Sequence, residues 1–597
     1  MLLCIVTWIL AHPYQGIFHD ANLYTLQALA HLYPDTLAQD VFLRFGSQDR
    51  FTVFSPVYAL AIRILGVDHA AGLLTLISQV ALFAGGWCLA RAVLSAEQAL
   101  LGLVLVFAIP GDYGPAHIFA CVEPFLTPRM GAEALVLAAL AAAFSDRRRR
   151  GIALMAAAFA LHPVMAAAGA AAWLIAAVLL PRPRLGLSLL LAGAASLLLV
   201  SNALPTGEWG KIDADWLAIV SQRSPYLFLS FWGLDDWSRA IVSLTILIVG
   251  SLTLESRARL LCRASALTMA LGLLLTGFAC DILHLTLFTQ MQPWRWQWLG
   301  TLVAALVLPA IVTVGWKRGI AGRATALLSI GAWIFGSGEF ALIACAAALL
   351  SIYSGRLNDR EMRLVFFGSC AVLALAVAWR LAVNLEFTDV HYMDASLPLW
   401  LRRAMSFVHD GFTPAVLLCL VVWSISTPRA AVAASLCCVF GIATIIVLIP
   451  YAWAGWTNQE YPQTEIARFA PWRKLIPPDE QVFWAESPLS TWVSLNRPSY
   501  ISGLQTSGMI FSSASALELK RRAFALADYV GPATFLSWSG ASAHLSLPPE
   551  TLHGICQSGV VGYLVTNANL GMQPIAMLDR LKLYACTPQA RAAAAAT

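Results

Sequence analysis

Apolar residues run through this chain in long stretches separated by short polar ones. A membrane-crossing helix needs about 20 apolar residues. Stretches of that order, together with shorter ones that can pair as hairpins, are 1–11, 70–94, 98–112, 130–145, 151–161, 164–180, 185–204, 238–253, 264–280, 296–316, 324–336, 339–353, 363–385, 413–426 and 430–451. They predict an α-helical polytopic membrane protein with about 13–15 transmembrane helices. The first stretch is short. It reads as the end of a helix that begins upstream of Met1, or as a short tilted helix. His162-Pro163 and Gly336-Ser337-Gly338 predict breaks that fold 151–161/164–180 and 324–336/339–353 into helical hairpins.

After Trp453 the pattern changes. Apolar runs shrink to strand length at Gln481–Trp484, Trp492–Leu495 and Val560–Val565, and a helical stretch spans Ser515–Leu526. Strands alternating with helices predict a small α/β domain at 453–597, following a membrane domain at 1–452. No G-x-G-x-x-G and no P-loop occurs, so no nucleotide site is expected.

Charge orients the helices. Short loops carry Arg91, Arg147 to Arg150, Arg182, Arg184, Arg257, Arg259, Arg263, Lys317, Arg318, Arg323, Arg356, Arg360, Arg363 and Arg429. The positive-inside rule puts these in the cytoplasm. The alternate loops, 12–69, 113–129, 205–237, 281–295 and 386–412, are longer and carry Asp, Glu, Trp and His. They face outward, and so does the C-terminal domain. The expected location is the cytoplasmic (inner) membrane, with an extracytoplasmic C-terminal domain.

Composition agrees. The 597 residues are 59% hydrophobic and only 12% charged, where soluble proteins carry about 25% charged residues. A net charge of +5 over this length excludes a nucleic-acid partner. The 12 cysteines form no CxxC pair and no zinc spacing. Cys556 and Cys586 are the only cysteines in the C-terminal domain, where they either pair or stay as separate thiols.

Polar side chains concentrate in the outward loops. In the first loop, 12–69, Leu23, Leu26, Leu29, Ala30 and Tyr33 recur at helical spacing and predict an amphipathic helix along the membrane surface. Asp20 stands just before it, beside His19. A hydrated carboxylate next to lipid headgroups suits a general base, and the same position suits a helix N-cap. Asp40 and Arg44 follow in the same loop. Glu123 and Arg129 stand at the outer mouth of the 130–145 helix, where Arg129 either anchors the helix or grips a phosphate. Gln290–Trp298 holds Gln292 and Arg295 among three tryptophans. His162, inside an apolar hairpin, needs a partner or water. Arg402, beside Trp400, is a further anion site or surface anchor.

Phe18-His19-Asp20, Gln39-Asp40-Val-Phe-Leu-Arg44, Pro128-Arg129, Ala160-Leu-His-Pro163 and Gln292-Pro-Trp-Arg295, set in this architecture, resemble the GT-C superfamily of integral-membrane glycosyltransferases. Its bacterial members use polyprenyl-phosphate sugars. The chain departs from the best-known members in having His-Asp where they carry Asp-x-Asp or Asp-Glu, and in having more crossings. The resemblance implies a polyprenyl-phosphate-linked sugar donor and a glycan, lipid or protein acceptor. It makes Asp20 the base and Asp40 its partner, with inversion at the anomeric carbon. Arg129, Arg295 and Arg402 would stabilise the leaving phosphate. His19, Arg44, Glu123, His162 and Gln292 complete the expected binding set. No cofactor is assigned; a divalent cation could share the task of stabilising the phosphate, but no metal-ligand set is evident. Asp20, Asp40, Arg129, His162 and Arg295 are expected on one outward cleft. The competing readings are a transporter or flippase of a lipid-linked glycan, and a non-catalytic membrane scaffold. The first lacks the intramembrane acid chain and inverted repeat common among transporters.

Overall fold

The computed structural model describes residues 12, 14–108, 111–352, 358–386, 398, 461, 463–542 and 544–595. The stretches 1–11, 413–426 and 430–451, the 452/453 boundary and Arg402 lie outside the described residues.

Where the chain is described, each long apolar run folds as a helix. Six helices are long and apolar enough to cross a membrane: Val67–Val93, Pro183–Ser201, Leu234–Thr253, Ser256–Ile282, Thr286–Lys317 and Asp359–Arg380. Shorter apolar helices stand among them, including Ala96–Val106, Pro163–Leu179, Gly319–Phe335 and Gly338–Ile352. The chain is therefore a helical multi-pass membrane protein. Both expected breaks are present. Arg148–Leu161 stops at His162, and Pro163 opens the next helix as its first residue. Gly336 takes φ +74° and ends Gly319–Phe335 before Gly338–Ile352 begins.

Gln297–Lys317 is the core of the bundle. It is buried along most of its length and is packed by Ala96–Ala108, Leu234–Thr253, Ser256–Leu275 and Gly319–Phe335. Glycines permit close helix contact. A Cβ on Gly102 would stand 2.2 Å from the Leu306 carbonyl oxygen, and one on Gly85 would stand 2.5 Å from that of Ala134.

The C-terminal region contains a four-stranded sheet in the order Val482–Phe483, Tyr563–Thr566, Leu581–Ala585, Ala576–Leu578. The first pair is parallel and the other two are antiparallel. Helices Ser513–Ala525 and Pro549–Ser558 pack into its apolar core. Cys556 and Cys586 form a disulfide, with their Cα atoms 4.7 Å apart.

Two expectations are corrected. Trp492-Val493 belongs to the helix Pro488–Val493 and not to a strand, because Pro488 begins a helical turn. The first-loop helix, Ala21–Leu32, is not an open surface helix. Every residue from Ala21 to Leu29 is buried, because Phe54–Leu65 packs one side and Pro488–Val493 another. The exposed apolar face belongs instead to Phe54–Leu65, where Val57, Leu60 and Ile64 are at least half exposed.

The C-terminal region seats on the first loop and on 212–232. Trp216 Nε1 donates to the Met509 carbonyl at 2.8 Å. Phe42 lies against Gly508, where a Cβ would meet its ring at 2.5 Å. The Trp538 amide donates to the Gln222 carbonyl at 3.0 Å.

Candidate functional site

His19 turns the chain with φ +51°, setting Asp20 at the start of Ala21–Leu32. The N-cap role open to Asp20 is not taken, since its side chain makes no capping hydrogen bond. It accepts instead from Arg129 Nη1 at 2.7 Å, and His19 Nδ1 stands 3.4 Å from its other oxygen. Arg129 follows Pro128 in the first turn of Pro128–Phe144. Its side chain is 2% exposed, whereas that of Asp20 keeps 28%. Nε and Nη2 of Arg129 donate to Glu123 Oε1 at 2.8 and 2.6 Å, and the Thr127 hydroxyl donates to Glu123 Oε2. Arg129 is thus held between two carboxylates, one buried and one facing water.

Arg295 approaches from another element. Gln292 adopts a left-handed conformation, φ +49°, and Pro293 then opens the turn Pro293–Trp296. Arg295 Nε donates to Gln292 Oε1 at 2.7 Å. The guanidinium carbons of Arg295 and Arg129 lie 4.2 and 4.7 Å from the centroid of the Phe119 ring. That ring stacks between Tyr113 and Trp294. Among the described residues Arg295 has no carboxylate within ion-pair distance.

Asp20, Arg129 and Arg295 line one cavity of about 610 Å³, with His19 and Gln292. Its roof comes from the C-terminal region, through Gly503, Ser507, Gly508, Phe511, Trp538 and His544. Arg223 and Tyr226 supply another wall. The lining therefore carries three guanidiniums and a single carboxylate. Burial works against ionising Asp20, but the charges of His19, Arg129 and Arg295 outweigh it and hold the carboxyl well below the usual carboxylate range.

The other expected site residues that are described are not on the cavity lining. Asp40 is fully buried and off the cavity. Its Oδ1 accepts from the Phe42 amide at 3.0 Å and from Gln505 Nε2 at 2.9 Å. Its Oδ2 accepts from Trp492 Nε1 and the Ser499 amide, each at 2.9 Å. With four donors on two oxygens it fastens the first loop to the C-terminal region and has no acceptor hydroxyl to reach. Arg44 is exposed, with its guanidinium over the Phe45 ring. His162 caps Pro163–Leu174 by accepting the Met165 amide at 3.3 Å; it is not among the cavity-lining residues, but it stands close enough to Arg295, Arg129 and Asp20 to feel their charges. Glu123 lies behind Arg129, off the cavity lining.

Sequence reasoning passed over Arg223, Tyr226, Trp538 and Phe119. Arg223 carries one signal, an arginine in the long 205–237 loop followed by Tyr226, Phe228, Phe231 and Trp232. No family model matches the chain, and neither curated proteins nor solved structures give a significant match.

Chemically, the cavity pairs an ionised carboxylate with two guanidiniums set on an aromatic platform. It can hold a phosphate at Arg295 and Arg129 while Asp20 engages a hydroxyl.

Proposed function

We propose that this chain is a GT-C-type membrane glycosyltransferase that transfers a sugar from a polyprenyl phosphate to an acceptor hydroxyl at the outer face of the cytoplasmic membrane. The observation that carries this reading is Asp20 and Arg295 on one cavity, the first an ionised carboxylate and the second a half-buried cation with no ion-paired carboxylate among the described residues.

The acceptor oxygen attacks the anomeric carbon as the carbon–oxygen bond to the phosphate breaks. The bonding pair leaves on the phosphate, and the hydroxyl proton passes to Asp20. Attack opposite the leaving group inverts the centre. A carboxylate of low proton affinity is a weak base toward a ground-state alcohol. The proton becomes acidic as the new bond forms, so Asp20 orients the hydroxyl first and takes the proton late. Arg295 and Arg129 meet the growing phosphate charge. Asp20 and Glu123 are both committed to Arg129, and among the described residues no group of carboxylates, histidines and cysteines stands together for the divalent cation compatible with the sequence.

Charge segregation supports 13–15 crossings with the cavity outside. Arg129 opens Pro128–Phe144 at the cavity, while Arg148 to Arg150 follow its other end, about 25 Å away at 1.5 Å per residue. Asp146 and Arg257, from two loops assigned to the cytoplasm, approach within 3.7 Å. Arg318 and Arg323 stand beyond the far end of the helix that begins beside Arg295. The apolar face of Phe54–Leu65 gives a prenyl chain a surface beside the first loop.

The test is mass spectrometry of envelope glycans and lipid-linked sugars in cells with the wild-type chain, without it, and with Asp20→Asn. The expected result is a glycan lacking one sugar and an accumulated polyprenyl-phosphate sugar in both deficient strains. Full transfer by a well-folded Asp20→Asn chain would overturn the reading. A flippase would leave that variant active.

A further inference from the structure

The cavity has a second cationic point, separate from the Arg129–Arg295 pair. Arg223 ends the helix Ala214–Arg223, and it is 7% exposed. Its Nε donates to Thr506 Oγ1 at 2.8 Å and its Nη2 to the Gly503 carbonyl at 2.9 Å. Both partners are neutral, and among the described residues Nη1 has no hydrogen-bond partner. No carboxylate forms an ion pair with Arg223 among these residues. Burial without a counter-ion pulls its proton affinity down. A buried guanidinium ordinarily has a carboxylate partner, because leaving the charge uncompensated is costly. Here two neutral acceptors hold the group in the wall of the cavity that Arg223 lines, and one nitrogen has no protein partner among the described residues.

Its surroundings suit a sugar. Tyr226 meets Trp538 edge-on, with centroids 5.2 Å apart, and meets Trp294 likewise at 6.3 Å. Tyr226 therefore stands between the Arg223 wall and the aromatic platform under Arg295. Trp538 is 40% exposed and offers an indole to the cavity. Ser507 and His544 add polar edges on the same roof.

We infer that Arg223 is a specificity residue that pairs with a second anionic group, a carboxylate or phosphate carried on a sugar, remote from the leaving phosphate. The inference rests on the glycosyltransferase reading for the identity of the first anion. The second anion belongs either to the acceptor or to the transferred sugar. In both cases Arg223 rejects neutral analogues, because binding one would leave a buried guanidinium without its counter-charge.

The experiment uses the full chain in detergent and three probes: glucose 6-phosphate, glucose and farnesyl phosphate. Dissociation constants are read from tryptophan fluorescence. Wild type should bind glucose 6-phosphate at least about tenfold tighter than glucose, the scale of one charge-assisted hydrogen bond. Arg223→Gln should remove that preference and leave farnesyl phosphate binding unchanged. Arg295→Gln should do the reverse, weakening farnesyl phosphate binding alone. Arg223→Lys should restore part of the preference, which a purely structural role would not predict. Simultaneous binding of glucose 6-phosphate and farnesyl phosphate assigns the second anion to the acceptor; competition assigns it to the transferred sugar. Equal wild-type affinity for glucose and glucose 6-phosphate overturns the inference, and so does a preference that survives Arg223→Gln. If Arg223→Gln does not fold, the wild-type comparison and Arg223→Lys still decide. Failure of farnesyl phosphate to bind wild type would count against the glycosyltransferase reading, with the Arg223 result unaffected.

Discussion

Asp40→Ala tests whether Asp40 is a fastening or a catalytic partner. The wild-type carboxylate is fully buried and accepts four hydrogen bonds, three of them from Trp492, Ser499 and Gln505, more than 450 residues away. Alanine removes both oxygens, so the Phe42 and Ser499 amides and Trp492 Nε1 lose their acceptor and Gln505 Nε2 keeps only the Ser499 carbonyl. A hydrogen bond to a charged group contributes about 1.5–3 kcal/mol, and such losses do not add fully. The expected destabilisation is on the order of 5 kcal/mol, the range reserved for broken buried networks. It should act locally, as the first loop parting from the C-terminal region. Hydrogen exchange on the full chain reads this directly. Amides at 36–48 and 488–510 should exchange roughly a thousandfold faster, while those of Gln297–Lys317 keep their wild-type rates. Asp40→Asn should rescue little, because its amide group points donors at donors. If exchange is unchanged while transfer is abolished, Asp40 acts in the chemistry and the fastening role fails.

Three further outcomes are expected. Replacing Cys556 and Cys586 together with serine opens a cross-link of sequence separation 30 and should cost about 3–4 kcal/mol, seen as earlier proteolysis of the C-terminal region in urea. Because the folded Asp20 carboxyl lies below its unfolded value of about 3.9, its stabilising effect is present above that pH and lost as pH falls through the folded value; in a His19→Gln chain, transfer should stay level from about pH 5 to 8, and an acid limb centred near pH 6 would refute the ionised Asp20. Gly102→Val should lower thermal stability by more than about 2 kcal/mol, because its Cβ meets the Leu306 backbone, whereas Gly86→Ala, whose Cβ touches only a Leu103 methyl at 3.2 Å, should cost much less; equal melting temperatures would refute the close helix contact.

The helices were legible because a buried or lipid-facing run needs only its own composition to declare itself, and the breaks at His162-Pro163 and Gly336 are local backbone chemistry. The grouping of Asp20, Arg129 and Arg295 was legible for an energetic reason. Each charge sits beside the end of a helix and requires water or a partner, and a shared cavity supplies both. The misreadings involve long-range partners. Asp40 was taken for a companion of Asp20 because both are acids in one loop. Its role is decided by Trp492, Ser499 and Gln505, whose positions follow from how the C-terminal region folds. The same region covers Ala21–Leu32, so a helix with an apolar repeat is a buried one, and the exposed apolar face is that of Phe54–Leu65. Periodicity reports that a face must be covered; it does not report whether lipid or protein covers it. Arg223 shows the same limit from the polar side. An arginine ending an outward helix reads as solvated until Gly503 and Thr506 close over two of its nitrogens. What distinguishes it from an anchor is the missing carboxylate, a property of the assembled cavity and not of any local pattern.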